Sequence, residues 1–322
     1  MESRRVVCMM ASIALFAVFQ AGAQTYPAKP IRVILGIGVG SPTDVTLRAA
    51  GQELQAVLGQ PLVIENRPGG NLMIAPEACA KSAPDGYTLC VFSNAAVTLN
   101  PYIFSKLTYD PEKDFAPVAL LWYLIQGLVA TPSLPANSIK ELEALAKSRP
   151  INFGTMGDGT AGDVMRQWLN EYWKTNMAGI PYKGANFVAS ALLSGEVQVS
   201  RISLSGLSGQ VKAGKLKVLA IGSSKRSRLF PDTPTYAEAG LAAFPDERVW
   251  WGMFAPAGTP DAMVRRINGE FARLFRSPKF SEYLENGMLE PVVTPPEEFA
   301  AFLKEDRERA GQMVRKYNIP RQ

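Results

Sequence analysis

The sequence predicts an α/β protein of two lobes with parallel-rich sheets, and three observations carry that expectation. Short β-branched runs alternate with segments of helical period, helix-start signals follow the runs, and the length calls for more than one core. Removal of a short N-terminal leader leaves about 300 residues, enough for two domains.

That leader opens on Arg4 and Arg5, continues through a mostly apolar run from Val6 to Phe19 and ends on Ala21-Gly22-Ala23, a small-residue cleavage pattern. Residues 1–23 therefore read as a secretory signal peptide. No other stretch approaches the roughly 20 apolar residues that a membrane span needs. The expected product is exported and soluble. Loss of Arg4, Arg5 and Glu2 takes the net charge from +5 to +4. With its basic residues scattered, the chain carries no nucleic-acid signature.

The expected strands are Ile31–Leu35, Leu62–Glu65, Thr88–Phe92, Ile151–Phe153, Val197–Ile202 and Leu216–Ile221. Helix starts follow at Ser41-Pro42-Thr43-Asp44, Ser138-Ile139-Lys140-Glu141, Thr160-Ala161-Gly162-Asp163 and Thr294-Pro295-Pro296-Glu297. Each sets a hydroxyl at the N-cap and an acid three residues on. Pro42 and Pro260 suit the first helical position, where a missing N–H costs nothing. Val264, Ile267, Phe271 and Leu274 make a core-facing stripe. Pro84-Asp85-Gly86 is a turn.

Two stretches, Leu121–Gln126 and Val249–Gly252, read as crossovers. The chain then builds one lobe from 24–124 and 250–322 and a second from 125–249. No internal repeat or low-complexity tract argues otherwise.

His is absent, and only Cys79 and Cys90 follow the leader. This removes the usual zinc sites and the Ser-His-Asp and Cys-His pairs of nucleophilic catalysis. An oxidising compartment permits a Cys79–Cys90 bridge. Both nevertheless sit in apolar surroundings where a free thiol packs as a small hydrophobe, so unpaired thiols are the expectation.

Two places combine strand, glycine loop and capped helix: Gly36-Ile37-Gly38-Val39-Gly40-Ser41 and Gly154-Thr155-Met156-Gly157-Asp158-Gly159-Thr160. Glycines allow close backbone approach, and a helix N-terminus offers free N–H groups to an anion. One loop in each lobe is what a cleft binder needs, although both also serve as plain strand-to-helix connections. The first loop has a rival reading as the dinucleotide fingerprint of a nucleotide-dependent oxidoreductase, with Glu65 as the ribose acid. Ser41 stands where its third glycine belongs, and Glu65 lies too far on.

The chain resembles the Bug, or tripartite tricarboxylate transporter (TctC-like), extracytoplasmic solute receptors. The likeness runs from Tyr26-Pro27 to the C-terminal helix, through Gly59-Gln60-Pro61, Glu65-Asn66-Arg67-Pro68-Gly69-Gly70, Pro84-Asp85-Gly86-Tyr87-Thr88-Leu89 and Leu107-Thr108-Tyr109-Asp110-Pro111. It continues through Lys113-Asp114-Phe115-Ala116-Pro117-Val118, Pro181-Tyr182-Lys183-Gly184, Pro231-Asp232-Thr233-Pro234-Thr235 and Ala255-Pro256-Ala257-Gly258-Thr259-Pro260.

The resemblance implies a periplasmic-binding-protein-like Venus flytrap that holds a small organic anion, with no enzyme activity, metal or cofactor. It implies delivery to the membrane subunits of a tripartite tricarboxylate transporter, or action as an orphan receptor. A monomer is expected, and no nucleic-acid partner. The implied ligand residues are Ile37, Val39, Gly40 and Ser41 of the first loop, and Thr155, Met156, Gly157, Asp158, Gly159 and Thr160 of the second. Ser93 and Asn94, the Tyr182-Lys183-Gly184 turn, and Arg201, Ile202 and Ser203 complete the set.

Some of these positions depart from the family pattern. The first loop lacks its usual aromatic, the His common after the second loop's threonine is missing, and Ile202 beside Arg201 replaces a common acid. Asp163 reads chiefly as a helix-start acid. It and Asp158 would oppose an anion by about 1 kcal/mol each at high dielectric. Arg201 is then either a bidentate carboxylate clamp or an ion-pair partner. Lys183 is expected to leave its ammonium in solvent. Trp122, Tyr123, Trp250 and Trp251 either pack the hinge or wall the cleft.

Overall fold

The computed structural model describes residues 26–244 and 248–321, so the leader expected at 1–23 lies outside the described residues. Among the described residues eleven strands follow one another: β1 Ile31–Leu35, β2 Leu62–Asn66, β3 Thr88–Ser93, β4 Phe115–Leu124, β5 Gln126–Ala130, β6 Asn152–Thr155, β7 Ala178–Pro181, β8 Val199–Ser203, β9 Lys217–Gly222, β10 Trp250–Pro256 and β11 Leu289–Pro291. The α-helices are α1 Pro42–Leu58, α2 Ile74–Ala80, α3 Asn100–Ile103, α4 Ile139–Ser148, α5 Ala161–Trp173, α6 Ala185–Ser194, α7 Ser208–Lys212, α8 Asp261–Arg276, α9 Pro278–Asn286 and α10 Pro296–Lys316.

They form two sheets, ordered β11-β4-β10-β3-β1-β2 and β7-β6-β8-β5-β9. Both are mixed. Strands joined through helices pair in parallel, β1 with β2 and β3, and β6 with β7 and β8. β10 pairs antiparallel with β3 and β4, and β5 with β8 and β9. β4 and β5 are separated only by Ile125, so one extended segment runs straight from the first sheet into the second. It enters the second sheet against the direction of that sheet's helix-linked strands, which a sequence pattern of alternating elements does not reveal.

The first sheet is covered on both faces. Leu47, Ala50 and Leu54 of α1, Val264, Ile267 and Phe271 of α8 and Leu284 of α9 pack on one side with Val33, Leu35 and Val91. Cys79 of α2 and Phe299 and Leu303 of α10 pack on the other with Cys90, Phe92 and Phe254. The second sheet takes α4 and α5 on one face and α6 on the other. Burial on both faces explains the near-continuous apolar runs that read as strands.

Cys79 and Cys90 form a disulfide between α2 and β3, with Cα atoms 6.2 Å apart. This corrects the expectation of free thiols. The same apolar layer that suits two thiols sets them face to face, because α2 packs directly over β3. Helix starts need smaller corrections. Ser41 and Ser138 cap α1 and α4 through Asp44 N–H and Glu141 N–H, both at 3.2 Å. Thr160 instead donates its hydroxyl to Gly157 O, and Thr294 Oγ1 accepts from Leu120 N–H, so neither caps its helix. Pro260 lies one residue before α8, not within it.

Among the described residues, no helix is long and apolar enough to cross a membrane.

Candidate functional site

The two glycine loops share one construction. Each follows a strand that ends at the crevice side of its sheet, and each feeds a helix that packs back over that sheet, α1 in the first and α5 in the second. Ser41 N–H donates to Gly38 O, and Thr160 N–H donates to Gly157 O. Gly40 and Gly159 both adopt positive φ, +79° and +73°, which only glycine takes without strain.

An aspartate three residues into each helix start locks the loop. Asp44 accepts from Gly40 N–H at 2.9 Å, and Asp163 accepts from Gly159 N–H at 3.1 Å. Asp44 also accepts from Asn66 Nδ2 at 2.9 Å and pairs with Arg48 at 2.9 Å. Asp163 accepts from Gln167 Nε2 at 2.8 Å and pairs with Arg166 at 2.8 Å. Burial opposes ionisation of Asp44, but the Arg48 guanidinium, the Gly40 N–H and Asn66 outweigh it and hold its carboxyl below the usual range. Both acids are thus neutralised within their own lobe, which removes much of their opposition to an incoming anion.

Sequence reasoning assigned Asp163 to the helix start and missed Arg48, Asn66, Arg166 and Gln167. A signal was present: Gly40-Ser41-Pro42-Thr43-Asp44 and Gly159-Thr160-Ala161-Gly162-Asp163 repeat glycine, hydroxyl and acid at the same offsets.

The helix ends differ in what they leave free. α1 opens with Pro42, which has no N–H, and the Asp44 N–H is taken by Ser41. α5 opens with Ala161 and has no side-chain cap. Its first turn therefore leaves more backbone N–H groups without a side-chain partner than that of α1 does.

The other expected residues fall in distinct settings. Val39 and Met156 are exposed at their loop tips, Asp158 is exposed, and Ile37 packs against the first lobe's core. Thr155 is buried, its Oγ1 accepting from Gly157 N–H at 3.3 Å. Ser93 is buried at the end of β3, and Asn94 beside it is half-buried. Ser203 ends β8 half-buried. Tyr182 donates to Glu196 at 2.8 Å, and burial together with that carboxylate pushes its phenol up to about 12. Lys183 is exposed, and Gly184 stands before α6.

Arg201 lies inside the second lobe, 2% exposed. Its guanidinium sits 5.2 Å from the ring centre of Phe244 and 5.9 Å from that of Tyr236, and it donates to Ala161 O at 3.3 Å. It supports the start of α5 from behind. Ile202 turns to the opposite face of β8, among Val188, Leu192 and Leu204.

A cavity of about 560 Å³ lies away from the glycine loops, between the Ser223–Arg228 segment and Glu285, Glu290 and Pro291. Lys225 and Arg228 each reach Glu285 at 3.4 Å across it. Ile125 of the crossover lines it, so it flanks the hinge and contains none of the expected ligand residues.

The family model described as tripartite tricarboxylate transporter family receptor matches residues 46–319. The fold is similar to that of the periplasmic binding protein BugD, at TM-score 0.76 and 28% identity over 92% of this chain and 100% of that one. It is also similar to a Rhodopseudomonas palustris protein solved with adipate, at TM-score 0.81 and 26% identity over 92% and 100% of the two chains. MatC of the same organism, solved with bound malate, gives TM-score 0.73 and 30% identity over 90% and 100%.

Proposed function

Because this chain belongs to the tripartite tricarboxylate transporter receptor family, we propose that it is a periplasmic receptor that closes two lobes on a small organic acid. The lobes are 24–124 with 250–322, and 125–249, with the residues after α10 reaching back onto the second lobe. Held in this way, the acid would be handed to the membrane subunits of such a transporter. The observation that carries the reading is the pair of aspartate-braced glycine loops, one on each sheet, each opening a helix toward the space between them.

In this reading the α5 start takes the principal carboxylate through backbone N–H groups, with Gly157 and Thr160 beside it. Ile37, Val39, Gly40 and Ser41 form the opposite wall, with Gly38 between them. The similar proteins solved with adipate and malate support a carboxylate as the ligand class. Binding by backbone donors and lobe closure requires no metal, cofactor or covalent step. The oxidoreductase reading has no support from the family and lacks the third glycine.

The test is a thermal-shift screen of mono-, di- and tricarboxylates, aromatic acids and amino acids. A ligand at 100 times its dissociation constant adds about 2.7 kcal/mol of stability. A response to nucleotides and to none of the acids would overturn the proposal.

A further inference from the structure

Two buried polar side chains share one face of a ladder at the crevice end of the first sheet, and neither polar atom has a hydrogen-bond partner among the described residues. Trp251 pairs in register with Ser93. Trp251 is 4% exposed and Ser93 5% exposed, and neither the indole Nε1 nor Ser93 Oγ makes a hydrogen bond. Native proteins leave few buried donors in that state, because each gives up hydration without replacement.

Their place in the fold matters as much as their lack of partners. Directly paired residues of adjacent strands share a sheet face. Trp251 belongs to the cluster containing Leu35 and Val91, and Ile37 of the first glycine loop packs against the same cluster. The neighbouring Trp250 faces the other way, where its indole donates to Asp306 at 3.0 Å. Of the two adjacent tryptophans, only Trp251 shares the face that carries α1 and the glycine loop. Trp122, whose Nε1 is also unpartnered, lies one strand farther from β1, fully buried and stacked on Phe275.

We propose that the Trp251 indole N–H donates to the bound ligand and, with Ser93 Oγ, selects acids bearing an oxygen acceptor at the end held by the first lobe. This rests on the receptor reading above. An indole N–H only donates, and the serine hydroxyl can donate beside it, so the pair matches a hydroxyl, carbonyl or carboxylate oxygen. At this end of the sheet Arg48 of α1 is already engaged by Asp44 and Asn66, and Arg67 after β2 by Glu65. Recognition at this end therefore relies on neutral donors. A site built to bond an oxygen discriminates against analogues lacking it, because its own donors are then left unpaired.

The test is isothermal titration with matched acids of four and six carbons: butyrate, 4-hydroxybutyrate and succinate, then hexanoate, 6-hydroxyhexanoate and adipate. The wild type should prefer an oxygenated acid over its plain partner by about tenfold or more. Trp251→Phe and Ser93→Ala should each shrink that preference by about fivefold, the oxygenated acid losing more affinity than its plain partner. Equal affinity for plain and oxygenated acids, or a full preference kept in Trp251→Phe, overturns the assignment while leaving the receptor reading in place. Saturable binding by none of the six overturns it as well, and silence across the whole acid screen overturns both.

Discussion

Asp44 accepts a hydrogen bond from the backbone N–H of Gly40 at 2.9 Å, tying the first turn of α1 to the loop that precedes it. Arg48 and Asn66 hold the same carboxylate, and together these contacts lower its pKa despite burial. A carboxyl lowered on folding contributes stability above its unfolded pKa of about 3.9, and the contribution is lost as pH falls through the folded value. Asp44→Asn should therefore cost about 1–3 kcal/mol at pH 7 in urea unfolding. The gap from wild type should begin to narrow below about pH 4 and close only once pH has fallen past the lower folded value. A gap that stays constant as pH is lowered from 5 to about 2 would show that the charge is not what matters.

Gly38 and Gly157 separate ligand space from backbone strain. A Cβ at either meets nothing within 4 Å, but Gly157 has φ +109° whereas Gly38 is not in the positive region. Gly38→Val should leave unfolding within about 0.5 kcal/mol of wild type, as an unstrained surface change does. Gly157→Val should cost about 1–3 kcal/mol through its backbone. Both should weaken binding of the best acid by about tenfold or more, read by titration. Unchanged affinity in Gly38→Val would remove the first loop from the ligand wall.

Arg201 was open to two readings in the sequence, and its burial against Phe244 and Tyr236 now favours support of the lobe. Arg201→Met loses a charged hydrogen bond and a desolvated cation–π contact, so a stability loss of about 2–4 kcal/mol is expected. Unfolding midpoints in urea, measured without ligand, decide it. Intact stability with a tenfold weaker acid affinity would return Arg201 to the ligand.

What the sequence made legible followed its periodicities and punctuation. Ile31–Leu35 and Thr88–Phe92 announce themselves because both faces of their sheet are covered, and the Ser41 and Ser138 caps need only local geometry. Features that depend on who lies opposite were hidden. The Cys79–Cys90 bridge requires α2 over β3, and which face each of Trp250 and Trp251 takes is set by the β3–β10 register. The surroundings of Arg201 include Tyr236 and Phe244, far along the chain. Thr160 shows local ambiguity of another kind: its hydroxyl had a competing acceptor in Gly157 O at 2.7 Å.

The end of the chain reaches the second glycine loop. α10 packs against the first sheet, yet Tyr317, just after it, packs into the second lobe's core, and Lys316 pairs with Glu171 at 3.4 Å. A Cβ on Gly159 would meet Ile319 Cγ2 at 2.8 Å, so the Ile319 side chain lies directly on the loop. Trimming Ile319 to Ala removes that brace and leaves the Gly159–Asp163 bond unchanged. Ile319 is half-buried at the surface, so the loss in global stability should stay near 1 kcal/mol. The loop amides should meanwhile exchange faster, since local opening needs less energy than global unfolding. Acid affinity should fall about threefold to tenfold as the loop pays more entropy to order around the ligand. Hydrogen exchange at 156–160, compared between Ile319→Ala and wild type, is the deciding measurement. Equal exchange there, with equal affinity, would mean that the chain end only covers the loop and does not hold its shape.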